Sequence, residues 1–329
     1  MTSATSQTSS LRSTLRSTAR KLRASLGARV VILLYHRIGS NERDPHRLAV
    51  SPENFDQQMS ILRSLGPVLS LAELGNALDS KKLPRRATVV TFDDGYVDNL
   101  QLARPILERH DIPSTIFMTT GPIGRVREFW WDELQRIFLE PGPLPSTIRL
   151  NVDGQSHEWT LNDEASRRRA HNAVYALLWD LQHEFRLRLL DELLAQTGRR
   201  LEVRSTKRAM SDQEILELSK CRLIEIGAHT HTHPNLAAQS REVQCDEIAR
   251  SKSRLTELLG RSPESFAYPF GLHTSETVQI VRETGFKRAC ACMDHAVRQQ
   301  SEMHRLTRAD LGDLDGDAFA RKWREAVNW

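Results

Sequence analysis

The stretch Thr91-Phe92-Asp93-Asp94-Gly95 decides the fold, because it ends an apolar run over residues 87–92. An apolar run of this length that is rich in β-branched residues predicts a buried strand. Both carboxylates then lie where the strand ends, which is the usual mouth of a parallel α/β barrel. Neighbouring strand residues point to opposite faces, but Gly95 permits a turn that could bring both carboxylates toward the opening. A surface turn is the alternative interpretation of Asp-Asp-Gly.

The rest of the chain alternates apolar runs with helical stretches, which is typical of a parallel sheet covered by helices. We predict strands at residues 30–35, 87–92, 114–118, 223–226, 265–268 and 288–292. We predict helices at residues 51–64, 71–78, 100–110, 211–219, 241–259, 275–284 and 317–327. The alternation lapses between about 121 and 210, where a helix (129–139), a hairpin (148–159) and a helical run (165–196) are expected. We interpret this region as a mainly helical insertion in one α/β domain over residues 30–329.

Three histidines in five residues, His229, His231 and His233, follow the predicted strand at 223–226. On a helical turn, His229 and His233 would project from one face at a spacing suited to one metal ion. His231 would then point away and is not expected to be a ligand. With Asp94 as third ligand, the site would keep positions open for water and a substrate oxygen. A solvated histidine-rich loop is the alternative.

A third motif, Tyr268-Pro269-Phe270-Gly271, also lies at a strand end. Pro269 has no N–H group, so the backbone donors available to a developing oxyanion are those of Phe270 and Gly271. Without the other two motifs, this segment would be interpreted as a turn only.

Together the three motifs resemble the polysaccharide deacetylase family, which shares the NodB homology domain and is similar to carbohydrate esterase family 4. The resemblance implies an α/β fold, a distorted (β/α)7 barrel, and metal-dependent removal of N-acetyl groups from amino sugars of a polysaccharide or glycan. It implies that Asp93 is the general base and that Asp94, His229 and His233 bind the metal. We expect one divalent ion, with zinc favoured and cobalt, nickel or manganese also acceptable to such ligands.

The segment Tyr35-His36-Arg37 at the end of the first strand resembles the subgroup that includes the poly-N-acetylglucosamine deacetylases. In that subgroup this histidine is the general acid, which implies His36. A structural role for His36 remains open, with His295 or His304 as the acid instead. Many family members brace the catalytic Asp with an Arg at the position of Ala267, so another group must orient Asp93 here.

Two adjacent tryptophans, Trp130 and Trp131, lie in the predicted insertion. Both indoles cannot point into one core, so one could stack on a sugar ring, whose C–H patches suit an aromatic face. Packing of the insertion is the alternative. Tyr268 is a further candidate for substrate binding.

The net charge of +4 does not indicate a nucleic-acid partner, because the surplus is localised. Residues 1–50 carry nine Lys or Arg against two acids, and residues 1–29 form a basic tail rich in Ser and Arg. We interpret the tail as solvated, with a peripheral contact to the inner membrane or a targeting role left open. The longest apolar run, residues 30–35, is far shorter than the roughly 20 residues that span a bilayer. Neither a transmembrane helix nor a signal peptide is predicted, and the expected location is cytoplasmic.

Two other functions compete with deacetylation of a glycan. Cyclic-imide or allantoin-type amidases resemble the family but commonly depart from the TFDDG pattern, which is complete here. A catalytically inactive carbohydrate-binding relative would have lost the base or a ligand. The four cysteines contain no Cys-x-x-Cys pair and are expected to be small buried thiols.

Overall fold

The computed structural model describes residues 27–39, 43–124, 127–292 and 295–327. Residues 1–26 of the predicted basic tail, with its proposed membrane contact, therefore lie outside the described residues. Within the described ranges, no helix is both long and apolar enough to cross a membrane. The cytoplasmic location stays a prediction.

Eleven strands lie within the described residues. They are β1 (Arg29–Tyr35), β2 (Arg37–Ile38), β3 (Ala49–Val50), β4 (Arg86–Phe92), β5 (Ser114–Met118), β6 (Thr147–Val152), β7 (Gln155–Thr160), β8 (Ile224–Ala228), β9 (Ser265–Ala267), β10 (Arg288–Cys292) and β11 (Leu306–Ala309). Seven of them close a parallel barrel in the order β1-β11-β10-β9-β8-β5-β4, which confirms the predicted fold. The sequence did not predict β11, because four residues with Arg308 among them form no apolar run.

Ten α-helices accompany these strands in the described ranges. They are α1 (Pro52–Leu65), α2 (Leu71–Asp79), α3 (Arg104–His110), α4 (Trp130–Leu139), α5 (Glu164–Leu178), α6 (His183–Thr197), α7 (Asp212–Leu218), α8 (Arg241–Leu259), α9 (Ser275–Glu283) and α10 (Gly316–Ala326). Several start where a Ser or Thr side chain accepts a backbone N–H, as Ser51 and Ser70 do for α1 and α2. The predicted helical run 165–196 is in fact two helices, α5 and α6.

The region between β5 and β8 builds a hydrophobic core of its own. It contains α4, the antiparallel hairpin of β6 and β7, and the helices α5 and α6. Leu134, Phe138, Leu150 and Leu190 are fully buried in this second core. The strands on either side, β5 and β8, pair directly in the barrel. The chain therefore leaves the barrel and re-enters it at neighbouring strands.

A short parallel pair, β2 and β3, holds the segment between them against the barrel mouth. Arg37 of β2 forms a buried ion pair with Asp98 at 3.2 Å, and its guanidinium also donates to the Thr206 carbonyl. The Asp44 carboxylate accepts the Ala49 N–H at 2.7 Å, which closes the loop that carries His46 and Leu48.

Candidate active site

A cavity of about 220 Å³ opens at the carboxyl ends of the barrel strands. Its walls come from barrel loops and from the insertion. They are formed by His36, His46, Leu48, Asp93, Asp94, Trp131, Tyr175, His229, His233, Phe270 and Cys292. The structure therefore brings all five predicted catalytic and metal-binding residues to one place, although they are spread over about 200 residues of chain.

The turn after β4 brings both carboxylates to the cavity, as the sequence predicts. Asp93 donates its backbone N–H to the Tyr35 carbonyl, and Asp94 then adopts φ 73° and Gly95 φ 80°. Gly95 meets the conformational need, and a Cβ atom there would lie 2.3 Å from the sulfur of Met118, whose buried side chain would have to shift. Two consecutive left-handed residues reverse the strand and place neighbouring carboxylates on one side.

The prediction that His229 and His233 share a helical turn is wrong. The segment after β8 is a loop in which Thr230 (φ 63°) and His233 (φ 57°) are left-handed. The Thr230 hydroxyl accepts the His233 N–H at 3.1 Å, and this contact, not a helix, brings the two imidazoles together. His231 faces the other way, as expected, with its Nδ1 atom 2.9 Å from the Thr120 hydroxyl. Glu247 of α8 accepts the backbone N–H of His231 and fixes the loop.

Asp94, His229 and His233 offer one ligand atom each, and these atoms lie within 4.8 Å of one another. Asp94 Oδ1 is 3.7 Å from His229 Nε2 and 3.5 Å from His233 Nε2. His229 donates from Nδ1 to the Ala267 carbonyl at 2.8 Å, which leaves its Nε2 lone pair facing the carboxylate. Asp94 Oδ1 is buried and has no hydrogen-bond partner among the described residues.

Burial sets the charge state of this trio. It lowers the pKa of His229 to about 4, and burial followed by repulsion from His229 lowers the pKa of His233 well below its usual value. Both imidazoles are therefore neutral near pH 7, as metal ligands must be. Burial, and then the charge of Asp93, raises the pKa of Asp94 well above that of an ordinary carboxyl. A positive charge beside Asp94 would favour its ionised form.

Arg308 of β11 braces Asp93. It therefore takes the place of the arginine that many family members carry at the position of Ala267. Its two terminal nitrogens donate to the two Asp93 oxygens at 2.6 and 2.7 Å, and both side chains are almost fully buried. Burial, the largest single effect, would raise the pKa of Asp93, but the charge and hydrogen bonds of Arg308, together with the nearby His229 and His36, lower the pKa below the usual value. The sequence could have indicated Arg308 only if β11 had been recognised as a strand.

His36 lines the cavity from the end of β1. Burial lowers its pKa, while the nearby Asp93 and Asp310 carboxylates favour its protonated form. The two alternative acids lie elsewhere. His295 is exposed, and His304 is bonded through Nε2 to the Phe286 carbonyl, so neither lines the cavity.

Of Tyr268 and Phe270, the two candidate residues in the segment after β9, only Phe270 reaches the cavity. Phe270 (φ 58°) lines it, and its ring lies 4.6 Å from that of His233. Gly271 already donates its N–H to the Tyr268 carbonyl, which leaves Phe270 as the backbone donor to consider. Tyr268 is not brought to the site, because its ring is buried and its hydroxyl donates to the His304 carbonyl at 2.9 Å.

The two tryptophans of α4 separate. Trp131 lines the cavity, with its ring 4.7 Å from that of His233 and its N–H donating to the Tyr96 hydroxyl. Trp130 lies behind the wall in the second core, stacked on Tyr175 with ring centroids 4.8 Å apart. Only Trp131 is placed to meet a substrate.

Sequence reasoning missed His46, Leu48 and Tyr175 as cavity residues, and treated Cys292 only as a buried thiol. Cys221 and Cys290 are buried as expected, whereas Cys245 and Cys292 are only half-buried. Cys292 lines the cavity beside Arg308. No motif marks these positions. His46 and Tyr175 come from a loop and from the insertion, whose arrangement over the barrel the sequence does not predict.

The family model for polysaccharide deacetylase matches residues 80–143 and 160–289, which is more than half of the chain and includes Asp93, Asp94, His229 and His233. The chain belongs to the polysaccharide deacetylase family. The expected enzyme class, a hydrolase acting on amide bonds of polysaccharides, is thereby confirmed. Within the predicted insertion, the match leaves out residues 144–159, which form most of the β6–β7 hairpin.

Individual relatives of this deacetylase have low sequence identity to it but match most of its length. It is 23% identical to YxkH of Bacillus subtilis (strain 168) over 89% of this chain and 75% of that protein. It is 21% identical to the poly-beta-1,6-N-acetyl-D-glucosamine N-deacetylase of Staphylococcus aureus (strain MRSA252), over 86% of this chain and 75% of that protein. Among solved structures, IcaB from Ammonifex degensii has a TM-score of 0.59 at 21% identity, with 92% and 98% of the two chains covered. At this identity the structural likeness supports the fold alone.

Proposed function

We propose that this polysaccharide deacetylase uses one divalent metal ion to remove N-acetyl groups from N-acetylglucosamine units of a glycan. The convergence of Asp94, His229 and His233 beside a second, arginine-braced carboxylate carries this proposal. The name of the Staphylococcus aureus relative supports the choice of sugar.

The residues present fit a divalent ion. Asp94 Oδ1 is buried without a hydrogen-bond partner among the described side chains, and two neutral imidazoles face it through Nε2. Two imidazoles and one carboxylate are a donor set that zinc accepts, and zinc is our choice of metal. When bound, the ion would lower the pKa of a water molecule and polarise the acetyl carbonyl.

Asp93 acts as the general base. Its lowered pKa keeps it ionised at neutral pH, and Arg308 holds both of its oxygens in one orientation. His229 Nε2 lies 3.7 Å from Asp93 Oδ2, so the base is adjacent to the metal ligands. From this position Asp93 accepts a proton from the attacking water.

His36 acts as the general acid and Phe270 as a backbone donor. His36 must carry a proton when the C–N bond breaks; burial lowers its pKa, and the Asp93 and Asp310 carboxylates oppose that effect. The proton passes to the nitrogen of the departing amine. The Phe270 N–H would donate to the oxygen that becomes negatively charged as the carbonyl is attacked.

Acetate release from β-1,6-linked N-acetylglucosamine oligomers by zinc-loaded protein tests this proposal. We expect Asp93→Asn to retain one metal ion per chain while losing almost all turnover, because the proton acceptor is removed while Asp94, His229 and His233 remain. Near wild-type acetate release from a folded Asp93→Asn variant would refute the assigned base. Failure of the zinc-loaded wild type on β-1,6- and β-1,4-linked oligomers alike would refute the proposed substrate.

A further inference from the structure

The helical insertion reaches across the barrel mouth and contacts it at two separate places. At one place, Tyr175 of α5 lies against His46, with ring centroids 4.3 Å apart and planes at 32°. At the other, Trp179 at the end of α5 lies against Phe270, with ring centroids 3.9 Å apart. His46 belongs to the loop between β2 and β3, and Phe270 follows β9. One helix end therefore joins two loops of the barrel rim.

Polar contacts secure the second of these places. The Asp180 carboxylate accepts a hydrogen bond from the Asn235 side-chain amide at 2.7 Å. The Asp180 carbonyl accepts another from the Gln239 side chain at 3.1 Å. Asn235 lies two residues after His233, so the tip of the insertion is tied to the same loop that supplies the candidate metal ligands.

A buried arginine fixes the conformation of the turn between α5 and α6, which forms the tip of the insertion. Arg186 of α6 donates to the carbonyls of Leu178, Trp179 and Leu181, which lie at and just beyond the C-terminal end of α5. Its guanidinium also lies over the Trp130 ring at 4.7 Å, and its side chain is fully buried. The wall that Tyr175 and Trp179 form is thus built from the core of the insertion rather than from a loose loop.

This wall limits how a glycan can approach. At about 220 Å³, the cavity is smaller than the roughly 300–1,000 Å³ typical of pockets for drug-sized ligands, so it suits one sugar with its acetamide. A chain continuing in both directions from the reacting sugar would have to cross the mouth. The contacts of Tyr175 and Trp179 block that course at the β2–β3 loop and at the loops after β8 and β9.

We propose that the insertion makes this cavity a seat for the terminal N-acetylated sugar of a glycan, so that the enzyme acts on chain ends rather than on internal sugars. The inference rests on the proposed deacetylase function and adds the position of the substrate sugar. Trp179 and Asp180 are then positioning residues for the wall, while Tyr175 and Trp131 contact the sugar.

The test maps which acetyl group leaves first. Zinc-loaded protein is given β-1,6-linked or β-1,4-linked N-acetylglucosamine pentamers labelled with ¹⁸O at the reducing end, and tandem mass spectrometry locates the free amine in the singly deacetylated product. We expect one terminal sugar to be favoured over each internal sugar by at least about tenfold, because the wall excludes a glycan that continues in both directions from the reacting sugar. In Trp179→Ala and in Asp180→Ala, this preference should fall toward equal use of all positions.

Trp159→Ala is the matched control, since Trp159 lies on β7 and its ring stacks on His157, outside the residues that line the cavity. The control should keep the wild-type preference. Equal use of internal sugars by the wild type would overturn the inference, as would an unchanged terminal preference in both wall variants when circular dichroism shows them folded. Acetate release with no positional preference would still support the deacetylase function, whereas no release from any oligomer would refute that function and the inference together.

Discussion

Arg308→Met should destabilise the protein and disable it, because it leaves the Asp93 carboxylate buried without its partner. Arg308 and Asp93 are 1% and 2% exposed, so water does little to screen their attraction. Unit charges about 4 Å apart attract by about 4 kcal/mol at an effective dielectric constant of about 20. Breaking a buried ion pair from one side typically costs about 3–5 kcal/mol, which agrees with this figure. We therefore expect the free energy of unfolding to fall by about 3–5 kcal/mol.

The assay is urea unfolding of metal-free protein at pH 7, followed by circular dichroism, for a double-mutant cycle of Arg308→Met and Asp93→Asn. The double variant buries no uncompensated charge at this pair. Its loss in the free energy of unfolding should therefore be smaller than the sum of the losses in the two single variants by about 1–3 kcal/mol. Arg288→Met is the matched control, because Arg288 is also buried on the barrel but pairs with Glu225 and Glu264. It should lower stability without changing turnover per folded molecule. Additive losses in the cycle would refute the claim that the pair is coupled.

Three further predictions concern the turn, the acid and the cavity loop. His36→Ala should lower turnover by about 10²–10⁴-fold without changing the amount of bound metal, and an unchanged rate would move the general acid elsewhere. Gly95→Ala should lose stability in urea unfolding by about 1–3 kcal/mol more than Gly154→Ala, since both glycines have positive φ but only at Gly95 would the new Cβ atom displace a buried side chain, that of Met118; equal losses would contradict the packing argument. Burial lowers the pKa of His46 from 6.5 to about 4, so its contribution to stability is present above pH 6.5 and is lost as pH falls toward 4. His46→Asn should flatten the pH dependence of unfolding in that window, and an unchanged slope would show that His46 is not buried in its neutral form.

The barrel and the central residues were predictable because both follow from local pattern. The apolar runs that became β1, β4, β8 and β9 are recognisable in the sequence, and the candidate site residues lie directly after these strands. The (β/α)7 resemblance implied a seventh strand, yet β11 has only four residues and includes a charged one. For the same reason, the sequence does not indicate Arg308. A buried arginine needs a partner, and that partner, Asp93, lies far away in the sequence.

Other errors arose where tertiary contacts decide the geometry. A spacing of four residues favours a helical turn, but the left-handed conformations of Thr230 and His233 bring the imidazoles together in a loop, stabilised by Glu247. The sequence predicts Tyr268 as a substrate-binding residue beside Phe270, but only Phe270 lines the cavity. The wall formed by Tyr175 depends on how the insertion docks, and single-sequence periodicity carries no information on docking.

Metal binding by three side chains from two strand ends is the central claim, and anomalous X-ray diffraction from zinc-loaded crystals tests it most directly. We expect one anomalous peak per chain within coordination distance, about 2.0–2.2 Å, of Asp94 Oδ1, His229 Nε2 and His233 Nε2. The same peak should be missing in His233→Ala crystals. A peak at another location, or a peak that remains at full height in His233→Ala crystals, would contradict the account.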